Sequence, residues 1–157
     1  MKNLYKKNSC DSYKEYLFVY GSLKRGFENH SILSTAKYIS KAQTTSKFAM
    51  FIEDNHNYPY IIESQKVIGM NIDGELYEII NKDTLNKVNA FEGVPFHFKC
   101  EDIYVQTDKN KSIKAKAYIL ATKKIPLNQK PIKVFKSRKI KVNIDFDEYD
   151  RVMLGFN

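Results

Sequence analysis

Glu92 has the clearest claim to chemistry in this chain of 157 residues. Lys82 to Phe91 reads as a helix, with Asn81 a fair N-cap and Gly93 and Pro95 marking its end. Leu85, Val88 and Glu92 then fall at i, i+3 and i+7, so a helix that turns the two apolar side chains inward carries the carboxylate in with them. In the last turn the helix dipole disfavours negative charge, and burial acts in the same direction. Both push a carboxylate pKa upward, which is what a general base working near neutral pH needs. On spacing alone, a solvated carboxylate at a frayed helix end, or one paired with a lysine, has the edge.

The second candidate is a loop. Tyr16-Leu17-Phe18-Val19-Tyr20 is an aromatic and β-branched run that fits a buried or half-buried strand, and Gly21 stops it. Continuing as Ser22-Leu23-Lys24-Arg25-Gly26, the chain leaves backbone N–H groups without a sheet partner, and such groups arrayed in a turn seat an anion. The pattern alone favours an ordinary turn over a ligand loop. Lys24 and Arg25 could add attraction for a carboxylate, although a solvated loop is the commoner fate of such residues. Other constellations are weaker. Ser22 with His30 lacks a nucleophile elbow, and His30, His56 and His97 lack metal-ligand spacing with Cys10 or Cys100. Glu75 and Glu78, three apart on a strand, point to opposite faces, leaving one of them free to face a cavity near Glu92.

YGSLKRGFENHSIL, followed by GELYEI and then FEGVP, is similar to the gamma-glutamylcyclotransferase-like superfamily, and its first segment especially to the gamma-glutamylamine cyclotransferases. The blocks reach from Tyr16 to Tyr118; each is short, and their order and separation make the match specific. The resemblance implies an α+β domain, a small mixed, mostly antiparallel β-barrel with a few peripheral helices. It implies Glu92 as catalytic acid/base, and Tyr20, Gly21, Ser22 and Leu23 holding the glutamyl end of a small gamma-glutamyl substrate, mainly through backbone N–H groups. The substrate's own amine would close a five-membered ring, giving 5-oxoproline and a free amine, with neither metal nor organic cofactor. Relatives commonly continue after FEGVP with a tyrosine and, two places later, an arginine, where this chain has Phe98 and Cys100. That departure keeps open a non-catalytic binding module of the same fold.

The elements that must position these groups follow from pattern. Residues 1–15 carry Lys, Asn, Ser and Asp without periodicity and read as a loose tail; residues 16–122 form the domain core, and 123–157 a basic extension of it. Within the core, Asn29 can cap a short helix bearing Ile32, Leu33 and Ala36, and Lys37 to Phe48 and Ala49 to Ile52 read as strands. After the polar turn Asp54-Asn55-His56-Asn57 come a short strand at Tyr58 to Ile62 and a long β segment from Val67 to Ile80. Within that segment Asn71 to Gly74 could be a bulge or a hairpin turn. His97 to Thr107 and Ile113 to Leu120 read as an antiparallel pair across Asp108 to Lys111. Beyond them, Lys-rich alternation such as Lys139 to Val142 suggests a late strand or an extended arm, and Asp147 to Leu154 a last short helix.

Composition bounds the rest. A hydrophobic content of 43% and a charged content of 28% are those of a globular chain large enough to bury a core without disulfides, and two cysteines indicate no disulfide framework. The apolar runs are strand-sized and no secretory signal precedes them, so a cytoplasmic protein without a membrane span is expected, with a monomer the simplest oligomeric state. The net charge of +8 equals the eight cations at 123, 124, 130, 133, 136, 138, 139 and 141, a stretch without an acid. Such a segment can bind nucleic acid or an anionic membrane surface, but a solvated basic surface is the commoner outcome.

Overall fold

The computed structural model describes residues 13–53, 58–64, 69–122 and 124–136. Strand β1 (Glu15–Val19) leads through a loop and a 3-10 turn (His30–Leu33) into β2 (Lys37–Ile52). Strands β3 (Pro59–Glu63) and β4 (Met70–Ile79), helix α1 (Lys82–Glu92) and the hairpin β5 (Phe98–Thr107) and β6 (Ser112–Leu120) follow. β1 lies between β4, antiparallel from Glu15↔Ile79 to Val19↔Glu75, and β6, parallel at Leu17↔Lys116. β6 pairs with β5, and β5 returns to β2 through Ala42↔Thr107 to Thr44↔Val105, closing the barrel β2-β4-β1-β6-β5. β3 extends the sheet outside that ring, on the far end of β2.

β2 can serve three neighbours because it is 16 residues long and bent. Its register on β4 shifts between Tyr38 and Ser40 and again between Gln43 and Lys47, and extra residues of this kind increase local twist. At the second shift the Thr44 hydroxyl accepts from the Ile72 N–H (2.8 Å), while the Asn71 carboxamide donates to the Thr44 carbonyl (3.0 Å), so side chains replace lost ladder bonds. The segments expected as two strands, Lys37 to Phe48 and Ala49 to Ile52, are therefore one. Asn71 to Gly74 lies within β4 and is not a hairpin turn.

Alternation sorts the side chains into two packed layers. Phe18, Met50, Ile72, Leu76, Val105, Ala115, Ala117 and Ile119, drawn from all five ring strands, fill one. Leu17, Val19, Tyr77, Ile79, Tyr118 and Leu120 face the other way, where Leu85 and Val88 of α1 cover them together with Leu23 and Leu33. Small Ala115, Ala117 and Gly74 let β1, β4 and β6 approach closely. A Cβ on Gly74 would lie 2.6 Å from Phe18 Cζ and press on the Val19 carbonyl oxygen.

Residues 124–136 return across this framework. The Gln129 carboxamide bonds both the N–H (2.9 Å) and the carbonyl (2.7 Å) of Ile52, Ile132 bridges Met50, and the Asp73 N–H donates to the Lys133 carbonyl at 3.0 Å. Phe135 is buried, its ring 5.6 Å from that of Phe27. Of the few helices expected, the described residues contain α1 and the 3-10 turn. Asn29 precedes that turn but does not cap it, because its carboxamide donates to Ser22 Oγ (2.9 Å). The expected N-terminal tail up to residue 12, the turn at 54–57, the strand at 139–142 and the helix at 147–154 lie outside the described residues. Among the described residues no helix is long and apolar enough to cross a membrane.

Gly74→Ala is expected to destabilise the fold by roughly 1–3 kcal/mol, the usual cost of overpacking a filled core. A urea unfolding midpoint equal to that of the unchanged protein would contradict the close approach of β1 and β4.

Candidate active site

α1 forms where its sequence calls for it. The Asn81 side chain accepts from the Asp83 N–H (2.8 Å), and Asp83 places a negative charge in the first turn. Gly93, at φ 69°, takes the left-handed conformation that stops the helix, and a cis Val94-Pro95 bond follows. Val88 is fully buried and Leu85 nearly so, and one turn further along the same face lies Glu92. A second tie fixes that face: the Tyr118 hydroxyl of β6 donates to Asn89 Oδ1 at 2.6 Å. Asn89 stands three residues before Glu92, on the side that meets the barrel.

Glu92 lines a cavity of 420 Å³ at the end of β1. Tyr20, Gly21, Ser22 and Leu23 line the same cavity, so the structure brings all five site residues expected from sequence together. Burial pushes the Glu92 carboxyl up from 4.5 to about 7. The same carboxylate, second to their own burial, helps hold the Tyr20 phenol above its usual range, and it adds in smaller measure to the rise at Tyr118.

The loop is built by its own carbonyls and by its neighbours. The Lys24 N–H closes a turn on the Gly21 carbonyl (3.1 Å), and the Asn29 N–H donates to the Ser22 carbonyl (3.0 Å). The Leu23 side chain is buried in the outer layer, and its carbonyl meets His30 Nδ1 at 2.9 Å. Gly21 is needed for space, since a Cβ there would fall 2.8 Å from Pro59 Cγ. Among the described residues, the backbone N–H groups of Gly21, Ser22 and Leu23 have no acceptor. Backbone donors without an acceptor in the chain are free to bond solvent or an anionic ligand in the cavity.

The remaining expected residues separate clearly. Ser22 Oγ accepts from Asn29, so Ser22 and His30 form no nucleophile–base pair. Lys24 Nζ turns away to the Phe135 carbonyl (2.7 Å), and the Arg25 guanidinium lies over the Tyr38 ring at 3.6 Å; neither lines the cavity. Glu75 accepts from the Arg25 N–H and the Tyr77 hydroxyl beside a different cavity, and Glu78 pairs with Lys14, so neither acid joins Glu92. Phe98 does line it, as a ring without a hydroxyl, while Cys100 pairs in register with Tyr118 and its thiol is pushed up by burial. Among the described residues no three His, Cys, Asp or Glu side chains gather as a metal site.

Sequence reasoning missed Tyr118, Asn89, Tyr58, Glu28 and Phe135. Asn89 shares the helical face of Leu85, Val88 and Glu92, so the spacing held that signal. Tyr58 lies against His97, its hydroxyl 2.9 Å from Nε2, and nothing local foretells that contact across 39 residues.

The family model described as gamma-glutamyl cyclotransferase, AIG2-like, matches residues 17–138 and so runs on into the basic segment. A Methanocaldococcus jannaschii protein provisionally named gamma-glutamylcyclotransferase is 38% identical over 105 residues, 66% of this chain and 82% of that protein. A Danio rerio protein named gamma-glutamylaminecyclotransferase C is 34% identical over 97 residues, 59% of each chain. A crystal structure of a Mus musculus AIG2-like protein, 23% identical, superposes with a TM-score of 0.70 over 85% of this chain and 99% of that one, a likeness of fold.

The raised Glu92 carboxyl makes stability depend on pH. A carboxyl held at about 7 in the folded chain and near 4.5 unfolded binds its proton more tightly when folded. Its contribution is fully present below pH 4.5 and lost as pH rises through about 7. Glu92→Gln is therefore expected to be more stable than the unchanged protein at pH 8, by roughly 1–3 kcal/mol, with the gap closing towards pH 4. Equal melting temperatures at pH 8 would place the carboxylate in water.

Proposed function

The chain belongs to the gamma-glutamyl cyclotransferase, AIG2-like family, and from that premise we propose that it cyclises the gamma-glutamyl group of a gamma-glutamyl amine or peptide to 5-oxoproline and releases the amine. One observation carries the reading. A carboxylate pushed up to about 7 shares a cavity with three backbone N–H groups that have no acceptor among the described residues.

The chemistry needs little more. The amides of Gly21, Ser22 and Leu23 hold the α-carboxylate of the glutamyl group, which fixes its amine and γ-carbonyl relative to Glu92. The α-nitrogen attacks the γ-carbonyl carbon, forming the ring C–N bond. Glu92, as carboxylate, takes the proton that nitrogen sheds and then, as acid, gives it to the departing amine as the old C–N bond breaks. A group with pKa near 7 does both at neutral pH without a large energetic penalty in either direction. Nucleophile and electrophile belong to one molecule, so holding them at attack geometry supplies much of the acceleration. Tyr20 serves as scaffold, its hydroxyl donating to the Tyr118 carbonyl at 2.6 Å.

The reading of a non-catalytic module rests on Phe98, which puts a bare ring on the cavity wall. The basic-segment reading loses ground on Lys124, 3.1 Å from Glu53, and Lys133, 3.8 Å from Asp73, two cations already engaged within the fold.

Incubation with a panel of gamma-glutamyl amines and peptides is expected to yield 5-oxoproline. Glu92→Gln should lower kcat/KM by about 10²–10⁴, the usual worth of a positioned general base. The rate should climb with pH and level off above about 7. Ring formation by Glu92→Gln at the unchanged rate would remove Glu92 from the reaction, and no product from any compound would favour the non-catalytic module.

A further inference from the structure

Ring closure puts negative charge on the γ-carbonyl oxygen as the α-nitrogen adds to its carbon, and a donor aimed at that oxygen is commonly the largest single help an enzyme gives such a step. Resting on the cyclisation proposed above, the amides of Gly21, Ser22 and Leu23 are taken by the α-carboxylate, so the donor has to come from elsewhere on the wall. Among the described residues no lysine or arginine lines the cavity. The Tyr20 hydroxyl donates to the Tyr118 carbonyl (2.6 Å), and the Tyr118 hydroxyl to Asn89 Oδ1 (2.6 Å). The Ser22 hydroxyl and the Asn29 carboxamide bond each other on the head loop (2.9 Å). Tyr58 and His97 line the same cavity as a pair, the phenol oxygen 2.9 Å from Nε2.

That pair spans the two halves of the site. Pro59, next after Tyr58, is the residue against which Gly21 packs, its Cγ 2.8 Å from where a Cβ on Gly21 would lie. On the other side the His97 N–H donates to the Gly93 carbonyl (2.9 Å), and the His97 Cβ lies 3.0 Å from where a Cβ on Gly93 would lie. His97 is thus folded back on the residue that follows Glu92. The His97 ring stands edge-on to those of Tyr58 and Phe98, at 5.7 and 4.8 Å, and Tyr58 packs against the bare ring of Phe98 at 6.3 Å. Burial first and Glu53 next raise the Tyr58 phenol above its usual range, and Glu92 adds to the rise in smaller measure, so the two side chains lie within electrostatic reach.

We propose that Tyr58 is a second catalytic residue, its hydroxyl donating to the γ-carbonyl oxygen as charge collects there, and that His97 is the positioning residue that holds it. With its hydrogen on Nε2 the imidazole donates to the phenol oxygen, and the phenol O–H donates to the substrate; each bond polarises the next. No proton leaves Tyr58 in this step. Glu92 has by then taken the one shed by the α-nitrogen, so the oxyanion faces a neutral carboxyl. As the C–N bond to the departing amine breaks, the carbonyl forms again and the charge leaves the oxygen.

In the full chain, assayed with the panel of gamma-glutamyl amines and peptides, Tyr58→Phe is expected to lower kcat by about 10- to 100-fold with KM unchanged, as for a contact made only in the transition state. That is at the lower end for an oxyanion donor because the pair is solvent-accessible. The inflection of the rate near pH 7 should stay in place, since the Glu92 carboxyl keeps its surroundings. His97→Phe keeps a ring and loses the hydrogen bond; it should cost about three- to tenfold in the unchanged protein and nothing further in Tyr58→Phe. His97→Gln, whose carboxamide can donate to the same oxygen, should recover most of that loss. A Tyr58→Phe protein that turns over at the unchanged rate, losses at 58 and 97 that multiply, or an inflection that moves with the loss of rate each overturns this role while ring formation stands. Absence of 5-oxoproline from the unchanged protein overturns the reaction itself and this inference with it.

Discussion

Keeping the Glu92 carboxylate out of bulk water is the constraint on which the site depends. A charged group resists such a position, and the free energy that holds it there comes from the rest of α1: Leu85 and Val88 packed under the helix and Asn89 tied to Tyr118. The glutamate is raised to about 7 because the helix cannot rotate it outward without uncovering two apolar side chains and breaking a 2.6 Å hydrogen bond. Packing energy is thereby converted into acid–base behaviour. The C-cap matters for the same reason, since Gly93 ends the helix one residue after Glu92 and leaves that side chain at the cavity's edge.

The other half of the site comes from how the barrel closes. β1 is held by β4 along its full length but meets β6 in parallel register at Leu17↔Lys116, and the strand ends at Val19. Past that point the backbone has no ladder to join, and Pro59 crowds the loop at Gly21. The freed N–H groups arise where a strand of a closed sheet stops short of its neighbours. Phe135 completes the wall and Lys24 holds it in place from outside: the lysine, 7% exposed, binds the Phe135 carbonyl 111 positions away and anchors the returning segment against the loop.

What could be read from the sequence was local. α1 announced itself through the spacing of Leu85 and Val88 and through caps at Asn81 and Gly93, all set by contacts within one or two turns. β5 and β6 were legible from alternation and a polar turn. β2 was cut in two because its bends stem from partners on three sides, which no window of its own residues reveals. Asn29 shows the same limit: its type suits a helix cap, and tertiary context gives its carboxamide to Ser22 instead. The Tyr118–Asn89, Tyr58–His97 and Lys24–Phe135 contacts join residues 29, 39 and 111 apart, and pairing at that range depends on the closed sheet, not on local pattern.

The charge of the chain and the charge of its cavity come from different residues. The eight cations that equal the net +8 lie between residues 123 and 141, and those at 124 and 133 are already paired with acids. Of these, the cations at 124, 130, 133 and 136 belong to the described residues, and none of the four lines the cavity. Among the described residues that line it, the acids are Glu28 and Glu92, and desolvation strengthens whatever lies within contact. The backbone N–H groups of Gly21, Ser22 and Leu23 can still receive a carboxylate, because they offer directed donors where, among the described residues, no lysine or arginine lines the wall. The seat for an anion is thus made of main chain, and its donors do not depend on where the side-chain cations lie.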